Sequence, residues 1–153
     1  MKIRRVTEGK KRWLDLLLLG DEQEDMIDRY LERGDMYVLS DGGEDVAACV
    51  VTREGDGLCE VKNIAVRPGM QGRGYGKRML EYVCGLYSGV CSRMIVGTGD
   101  VPGATAFYRA CGFTESHRIK DFFTDNYDHP IIEEGVLLKD MVYFVKELVG
   151  SEK

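Results

Sequence analysis

The segment Ile64-Ala65-Val66-Arg67-Pro68-Gly69-Met70-Gln71-Gly72-Arg73-Gly74-Tyr75-Gly76-Lys77 joins bare backbone to positive charge. Glycine at alternate positions lets successive N–H groups turn toward a common centre, and a helix beginning there adds the positive end of its dipole. Such a nest suits a phosphate. The charge agrees: residues 62–82 hold five bases (Lys62, Arg67, Arg73, Lys77 and Arg78) against one acid, Glu81. Two familiar phosphate loops do not fit. A Walker A loop needs glycine five residues before Gly76 and Ser or Thr after Lys77, where the chain has Gln71 and Arg78. A Rossmann fingerprint needs a third glycine where Lys77 stands.

A second region has the opposite character. Residues 121–134 carry five acids (Asp121, Asp125, Asp128, Glu133 and Glu134), three aromatics (Phe122, Phe123 and Tyr127) and no Lys or Arg. Carboxylates beside aromatic faces suit a cationic amine. The same composition also fits a solvated loop with its aromatics packed beneath. Asp21, Glu22, Glu24, Asp25 and Asp28 form another acidic cluster, best read as a solvated helix face. His129 and His117 are the two histidines, and neither completes a metal-ligand spacing, so no metal site is expected. The five cysteines, Cys49, Cys59, Cys84, Cys91 and Cys111, include no C-x-x-C pair and suggest reduced, buried thiols of a cytoplasmic protein.

These groups need elements to position them. Residues 2–7 read as a strand, and Lys10–Gly20 and Asp21–Arg33 as two helices. The second would have Asp21 as N-cap, Glu24 as its capping-box partner and Gly34 as its stop. Met36–Ser40, Val46–Arg53 and Leu58–Val66 read as a three-stranded meander, its first turn at Asp41-Gly42-Gly43. After the glycine loop comes a helix carrying Met79, Leu80, Val83, Leu86 and Tyr87, then a short strand at Met94–Val96. A helix over Ala104–Ala110, stopped by Gly112, and a strand over Phe113–Ile119 follow. Residues 120–135 read as a long loop. The last segment is double-valued: Leu137, Leu138, Met141, Val142, Val145, Leu148 and Val149 fit a helical stripe, while Met141–Val145 also fits a buried strand.

The chain has 153 residues, 26 acidic and 21 basic, for a net charge of −5 and a pI near 5.1. That length suggests a single domain spanning residues 1–153. An acidic protein is a poor general binder of nucleic acid or of an anionic membrane surface. The longest apolar run, Leu16–Leu19, is too short to span a bilayer, so no membrane association is expected. Glycine is enriched, and 11 of the 19 fall between Gly55 and Gly103, around the phosphate-type loop.

Gln71-Gly72-Arg73-Gly74-Tyr75-Gly76 resembles the Q/R-x-x-G-x-G/A loop of the GNAT acetyltransferase superfamily. Ala104-Thr105-Ala106-Phe107-Tyr108-Arg109-Ala110-Cys111-Gly112-Phe113 resembles its A-x-x-F-Y-x-x-x-G-F helix, in the right order and across a helix and a strand. The resemblance implies a mixed α/β (α+β) fold: a mostly antiparallel sheet of about six or seven strands flanked by about four helices. Its fourth and fifth strands, residues 57–66 and 93–98, would splay around acetyl-CoA. It also makes the C-terminal segment a strand.

By position, the backbone of Ile64, Ala65 and Val66 is similar to the edge that bonds the pantetheine arm. Gln71, Gly72, Arg73, Gly74, Tyr75, Gly76 and Lys77 are similar to the pyrophosphate cradle, and Phe107 to a cofactor contact. Tyr108 resembles the tyrosine that protonates the leaving thiolate, and its ordinary pKa of about 10 lies near a thiol's. Glu60 stands where many relatives place a base or a water-orienting carboxylate. A surface or structural carboxylate is an equal alternative. A regular strand would turn Asn63 away from Glu60, and a bulge would bring them together. One position departs from the pattern: Val101 replaces an asparagine common before the helix, so the Asp100–Gly103 segment meets the cofactor differently or not at all.

The implied activity is N-acetyl transfer from acetyl-CoA to a primary amine of a small, cationic acceptor by direct attack. A CoA-binding sensor without transferase activity and an enzyme for protein amines are the alternatives. A homodimer is compatible with the resemblance.

Overall fold

The computed structural model describes residues 1–148. It contains β1 (Lys2–Val6), a 3-10 turn (Lys10–Trp13), α1 (Leu14–Gly20), α2 (Glu24–Ile27), β2 (Asp35–Asp41), β3 (Glu44–Gly55) and β4 (Leu58–Val66). Then come α3 (Tyr75–Tyr87), β5 (Arg93–Gly99), α4 (Pro102–Ala110), β6 (Thr114–Ile119), α5 (Phe122–Asn126), β7 (Ile132–Glu133), β8 (Val136–Leu137) and β9 (Met141–Glu147). Seven strands form one mixed sheet in the order β1-β2-β3-β4-β5-β9-β6, and β7 pairs with β8 in a separate hairpin. Every neighbouring pair in the large sheet is antiparallel except β4–β5.

Alternation along the strands makes the two layers. Tyr37, Leu39, Ala47, Cys49 and Val51 face a core shared with Met79, Leu80 and Val83 of α3 and with Tyr108 of α4. Met36, Val38, Ala48 and Val50 face the opposite core, closed by Leu16 and Leu17 of α1, Ile27 of α2, and Tyr30 and Leu31 beyond it. The meander's first turn has both Gly42 (φ 63°) and Gly43 (φ 83°) in the left-handed region, as a two-residue hairpin turn of matching twist requires. Pro102 opens α4, where a missing N–H costs nothing, and Gly112 (φ 92°) follows its end.

The C-terminal segment is a strand. β9 fills the place between β5 and β6, with Val142 and Phe144 fully buried. Long-range pairing, which a periodicity count does not contain, chooses the strand over the helical stripe. Val149 of that stripe lies outside the described residues.

Three sequence expectations are corrected. The helix expected over Asp21–Arg33 is the single turn Glu24–Ile27 followed by turns. Gln23, not Asp21, is its N-cap residue, and Asp21 instead accepts hydrogen bonds from Tyr30 (2.9 Å) and Tyr127 (2.6 Å). The buried Lys10 ammonium takes the carbonyls of Leu31 (2.8 Å) and Gly34 (2.8 Å), satisfying backbone that a continuing helix would have used. The loop expected over residues 120–135 contains α5 and β7, and it ends in the turn of the β7–β8 hairpin, where Glu134 (φ 51°) and Gly135 (φ 76°) are in the left-handed region.

The third correction concerns the cysteines. Cys59 and Cys91 form a disulfide, while Cys49, Cys84 and Cys111 are free and buried. Ser92 and Arg93 donate to the Gly57 carbonyl (2.7 and 3.2 Å), bringing together two sulfurs that stand 32 residues apart in sequence. Among the described residues, no helix is long and apolar enough to cross a membrane.

Candidate active site

The cleft begins where β4 and β5 part. Their parallel pairing runs from Leu58–Arg93 to Val61–Val96 and stops there. Just beyond, β4 bulges: Val50 pairs with Asn63 and Val51 with Val61, leaving Lys62 as the extra residue. A bulge bends its strand and shifts its facing. Cys59 and Val61 face the α3 core before it, and Ile64 and Val66 pack on that core after it. Asn63 therefore shares the α1 face with Glu60, and its amide donates to the Leu17 carbonyl (2.9 Å) and to the Tyr30 hydroxyl (3.1 Å). Asn63 Oδ1 is buried without a hydrogen-bond partner.

A cleft of about 630 Å3 occupies the gap. Ile64, Ala65 and Val66 line it from β4; Gln71, Gly72, Gly74, Tyr75, Gly76 and Lys77 from the loop and the start of α3; Phe107 and Tyr108 from α4. Arg73 does not line it and is exposed. The sequence reading missed Met70, Thr98, Gly103, Ala104 and Glu134, which also contribute.

The loop geometry explains the glycines that matter most. Gly72 (φ 79°) and Gly74 (φ 86°) are left-handed, and a Cβ at either would meet nothing within 4 Å. Their backbone faces open space. The first α-helical bond of α3 runs from Arg78 N–H to the Gly74 carbonyl (3.0 Å). The N–H groups of Tyr75, Gly76 and Lys77 are thus free to meet an anion. This cradle fits a pyrophosphate-bearing cofactor.

At Val101, where the pattern has asparagine, the structure offers a different arrangement. Gly103 N–H, in the first turn of α4, donates to Glu134 Oε1 (3.1 Å). The hairpin's carboxylate sits on that helix N-terminus, a favourable place for a negative charge.

A second cavity of about 190 Å3 adjoins the cleft, and Ile64, Thr98 and Tyr108 line both. Its wall includes Asp21, Lys62, Asn63, Tyr127 and Glu133. A third cavity, about 170 Å3, lies beyond and contains Glu60, Arg29, Arg33 and Tyr143. Glu60 therefore stands one cavity away from Tyr108. Its carboxylate is held by Lys62 (3.1 Å) and by the Tyr143 hydroxyl (3.4 Å).

Burial is the largest influence on ionisation here. It pushes the Tyr108 hydroxyl well above its usual value, with smaller contributions from Cys49, Cys111 and Glu133. Burial also raises the carboxyl of Glu133, helped by the like charges of Glu22 and Glu134. Burial raises Asp21 as well, against the hydrogen bonds from Tyr127 and Tyr30 that lower it. Tyr108 thus keeps its proton, and its transfer is harder than an ordinary phenol's pKa implied. Its hydroxyl is first a hydrogen-bond donor. Of the five acids in 121–134, Glu133 lines the second cavity and Glu134 the cleft, and the other three line neither. The signal for Glu133 was present in that acidic run. Nothing in sequence singled it out.

Residues 32–115 match the acetyltransferase (GNAT) domain family. The chain is 32% identical over 150 residues to the uncharacterised N-acetyltransferase YvbK of Bacillus subtilis strain 168, covering 97% of each. A GNAT family acetyltransferase from Elizabethkingia anophelis with acetyl-CoA bound is 33% identical, with a TM-score of 0.89 over 95% of this chain and 97% of that one. An IAA acetyltransferase from Bacillus cereus ATCC 14579 is 34% identical, with a TM-score of 0.89 over 95% of this chain and 98% of that one. A parted β4–β5 pair, a bare-backbone cradle and these similarities over nearly the whole length lead to one conclusion: the chain belongs to the GNAT acetyltransferase family, as an acyl-CoA-dependent N-acetyltransferase.

Proposed function

We propose that the enzyme acetylates the primary amine of a small acceptor by direct attack, with both substrates bound at once. The observation that carries this reading is the shared wall of Ile64, Thr98 and Tyr108 between the cleft and the second cavity. An amine in the second cavity and a thioester in the cleft would meet there. The same reading takes residues 1–153 as one catalytic domain, with the seven-stranded sheet carrying the cleft and the β7–β8 hairpin adding Glu133 and Glu134.

Each part has a task. Beyond Val61 the edge of β4 has no β5 partner, so the backbone of Ile64, Ala65 and Val66 is free to bond an extended amide arm. The loop from Gln71 to Lys77 holds the pyrophosphate through backbone N–H groups, with Arg73 and Lys77 adding charge and Phe107 packing against Gly76. Acetyl-CoA supplies the activated thioester carbonyl. An amine must lose a proton before it attacks, so the second cavity needs a base. Glu133 is the carboxylate we assign to that step: it lies in the same cavity as Tyr108, and its raised pKa moves it toward the useful range. Asp21 helps to draw in the cation. Glu60 holds Lys62 in place, and its role as a base would need a water path between cavities. Tyr108 donates its O–H to the departing sulfur.

A covalent cysteine route is disfavoured by the same geometry. Cys59 is in a disulfide, and burial raises the Cys111 thiol, which lines neither cavity.

The test is thiol release from acetyl-CoA across a panel of primary amines. The expected result is amine-dependent release with matching N-acetyl product. No release with any amine, while CoA still binds, would favour the sensor reading.

The cradle makes its own prediction. Gly74→Val forces a β-branched residue to φ 86°, at a cost of about 1–2 kcal/mol or more. It also places methyl groups in the open space above α3. The Kd for CoA should rise by about tenfold or more, by calorimetry, with kcat at saturating donor much less affected.

A further inference from the structure

The acceptor space is electrically two-ended. The second and third cavities adjoin, sharing Asp21, Val61, Lys62, Gly97, Tyr127 and Met141 in their walls. Near Tyr108 the ionisable wall is Asp21 and Glu133 with Lys62, two carboxylates to one cation. At the far end it is Arg29, Arg33 and Lys62 with Asp21 and Glu60, three cations to two carboxylates. The sign of the wall reverses from one cavity to the next.

Partners sharpen the picture. Lys62 is paired with Glu60 (3.1 Å) and Arg33 with Glu54 (3.1 Å). Asp21 has one oxygen committed to Tyr30 and the other to Tyr127. Arg29 donates only to a neutral amide oxygen, Asn126 Oδ1 (3.2 Å), and makes no salt bridge among the described residues. It is exposed on the rim, so a ligand's polar end would reach it without leaving water altogether. A guanidinium presents a planar fork of donors that matches a carboxylate.

We infer that the acceptor is an amine that also carries a carboxylate, an amino-acid-type zwitterion bound with its amine toward Glu133 and Tyr108 and its carboxylate on Arg29. This rests on the acetyltransferase reading above and narrows its acceptor from a cation to a zwitterion.

The experiment is a matched series under saturating acetyl-CoA: β-alanine and γ-aminobutyrate, their primary amides, and diamines of the same chain lengths. The acids should exceed both amides and diamines in kcat/KM by about tenfold or more. Arg29→Gln should lower the acid-to-amide ratio of kcat/KM by about tenfold, mainly through KM, and Arg29→Lys should restore part of it. Equal use of acids, amides and diamines, or an unchanged ratio in Arg29→Gln, would overturn the inference while leaving the transferase intact. Failure of every amine to release thiol would overturn both.

Discussion

Tyr108→Phe should lower kcat by about 10²–10⁴-fold while leaving the Kd for CoA within about twofold. The ring is fixed by packing that phenylalanine retains: centroids lie 5.1 Å from Phe107, 6.0 Å from Phe113 and 6.0 Å from Phe144. None of the influences on its pKa is a hydrogen bond, so removing the oxygen leaves no protein partner among the described residues unsatisfied. Stability should change little, and the loss should appear in the chemical step. Because burial raises the hydroxyl, wild-type activity should show no alkaline fall from Tyr108 ionisation up to about pH 10. Steady-state kinetics, CoA calorimetry and a thermal melt of the same variant separate these effects. A kcat within a few-fold of wild type would remove Tyr108 from the mechanism.

Glu133→Gln should do two opposite things: slow the enzyme by about 10²-fold and stabilise the fold. Its carboxyl is raised in the folded protein, so the folded state binds more protons than the unfolded one between the ordinary carboxyl pKa and the raised value. Stability therefore falls as pH rises through that window. The cost is fully present above the raised pKa and absent below about pH 4.5. Glutamine cannot ionise, so its melting temperature should exceed wild type at neutral pH, with the gap closing as pH is lowered through the raised value. The rate profile should change in parallel. Wild-type kcat/KM rises with pH as Glu133 loses its proton, and the variant should lose that limb. Glu60→Gln, one cavity removed and tied to Lys62 and Tyr143, should keep it and lose less than about tenfold. A lost limb in Glu60→Gln and a retained one in Glu133→Gln would reverse the assignment.

What the sequence disclosed depended on how local the cause was. Gly72 and Gly74 were legible because a left-handed backbone beside an anion excludes most other residues, and that constraint acts within a few positions. The Gly42-Gly43 turn and the apolar spacing of α3 were legible for the same reason. Asp21 was misplaced as a helix cap because the groups that claim it, Tyr30 and Tyr127, meet it only after folding; the second stands 106 residues away. The Cys59–Cys91 bridge also depends on a contact between β4 and the segment before β5. The bulge at Lys62 decided whether Asn63 and Glu60 share a face, and strand alternation could not foresee it. Glu133 was visible as one acid among five, and the β7–β8 hairpin, closed by a left-handed Glu134-Gly135 turn, is what brings it to the cavity beside Tyr108.

The central claim is that acetyl passes directly from acetyl-CoA to an amine across the Ile64–Thr98–Tyr108 wall. Initial rates of thiol release, measured while acetyl-CoA and an accepted amine are varied against each other, test it most directly. Direct transfer with both substrates bound predicts reciprocal plots that intersect. Parallel lines, together with an acetylated protein formed from acetyl-CoA when no amine is present, would contradict it.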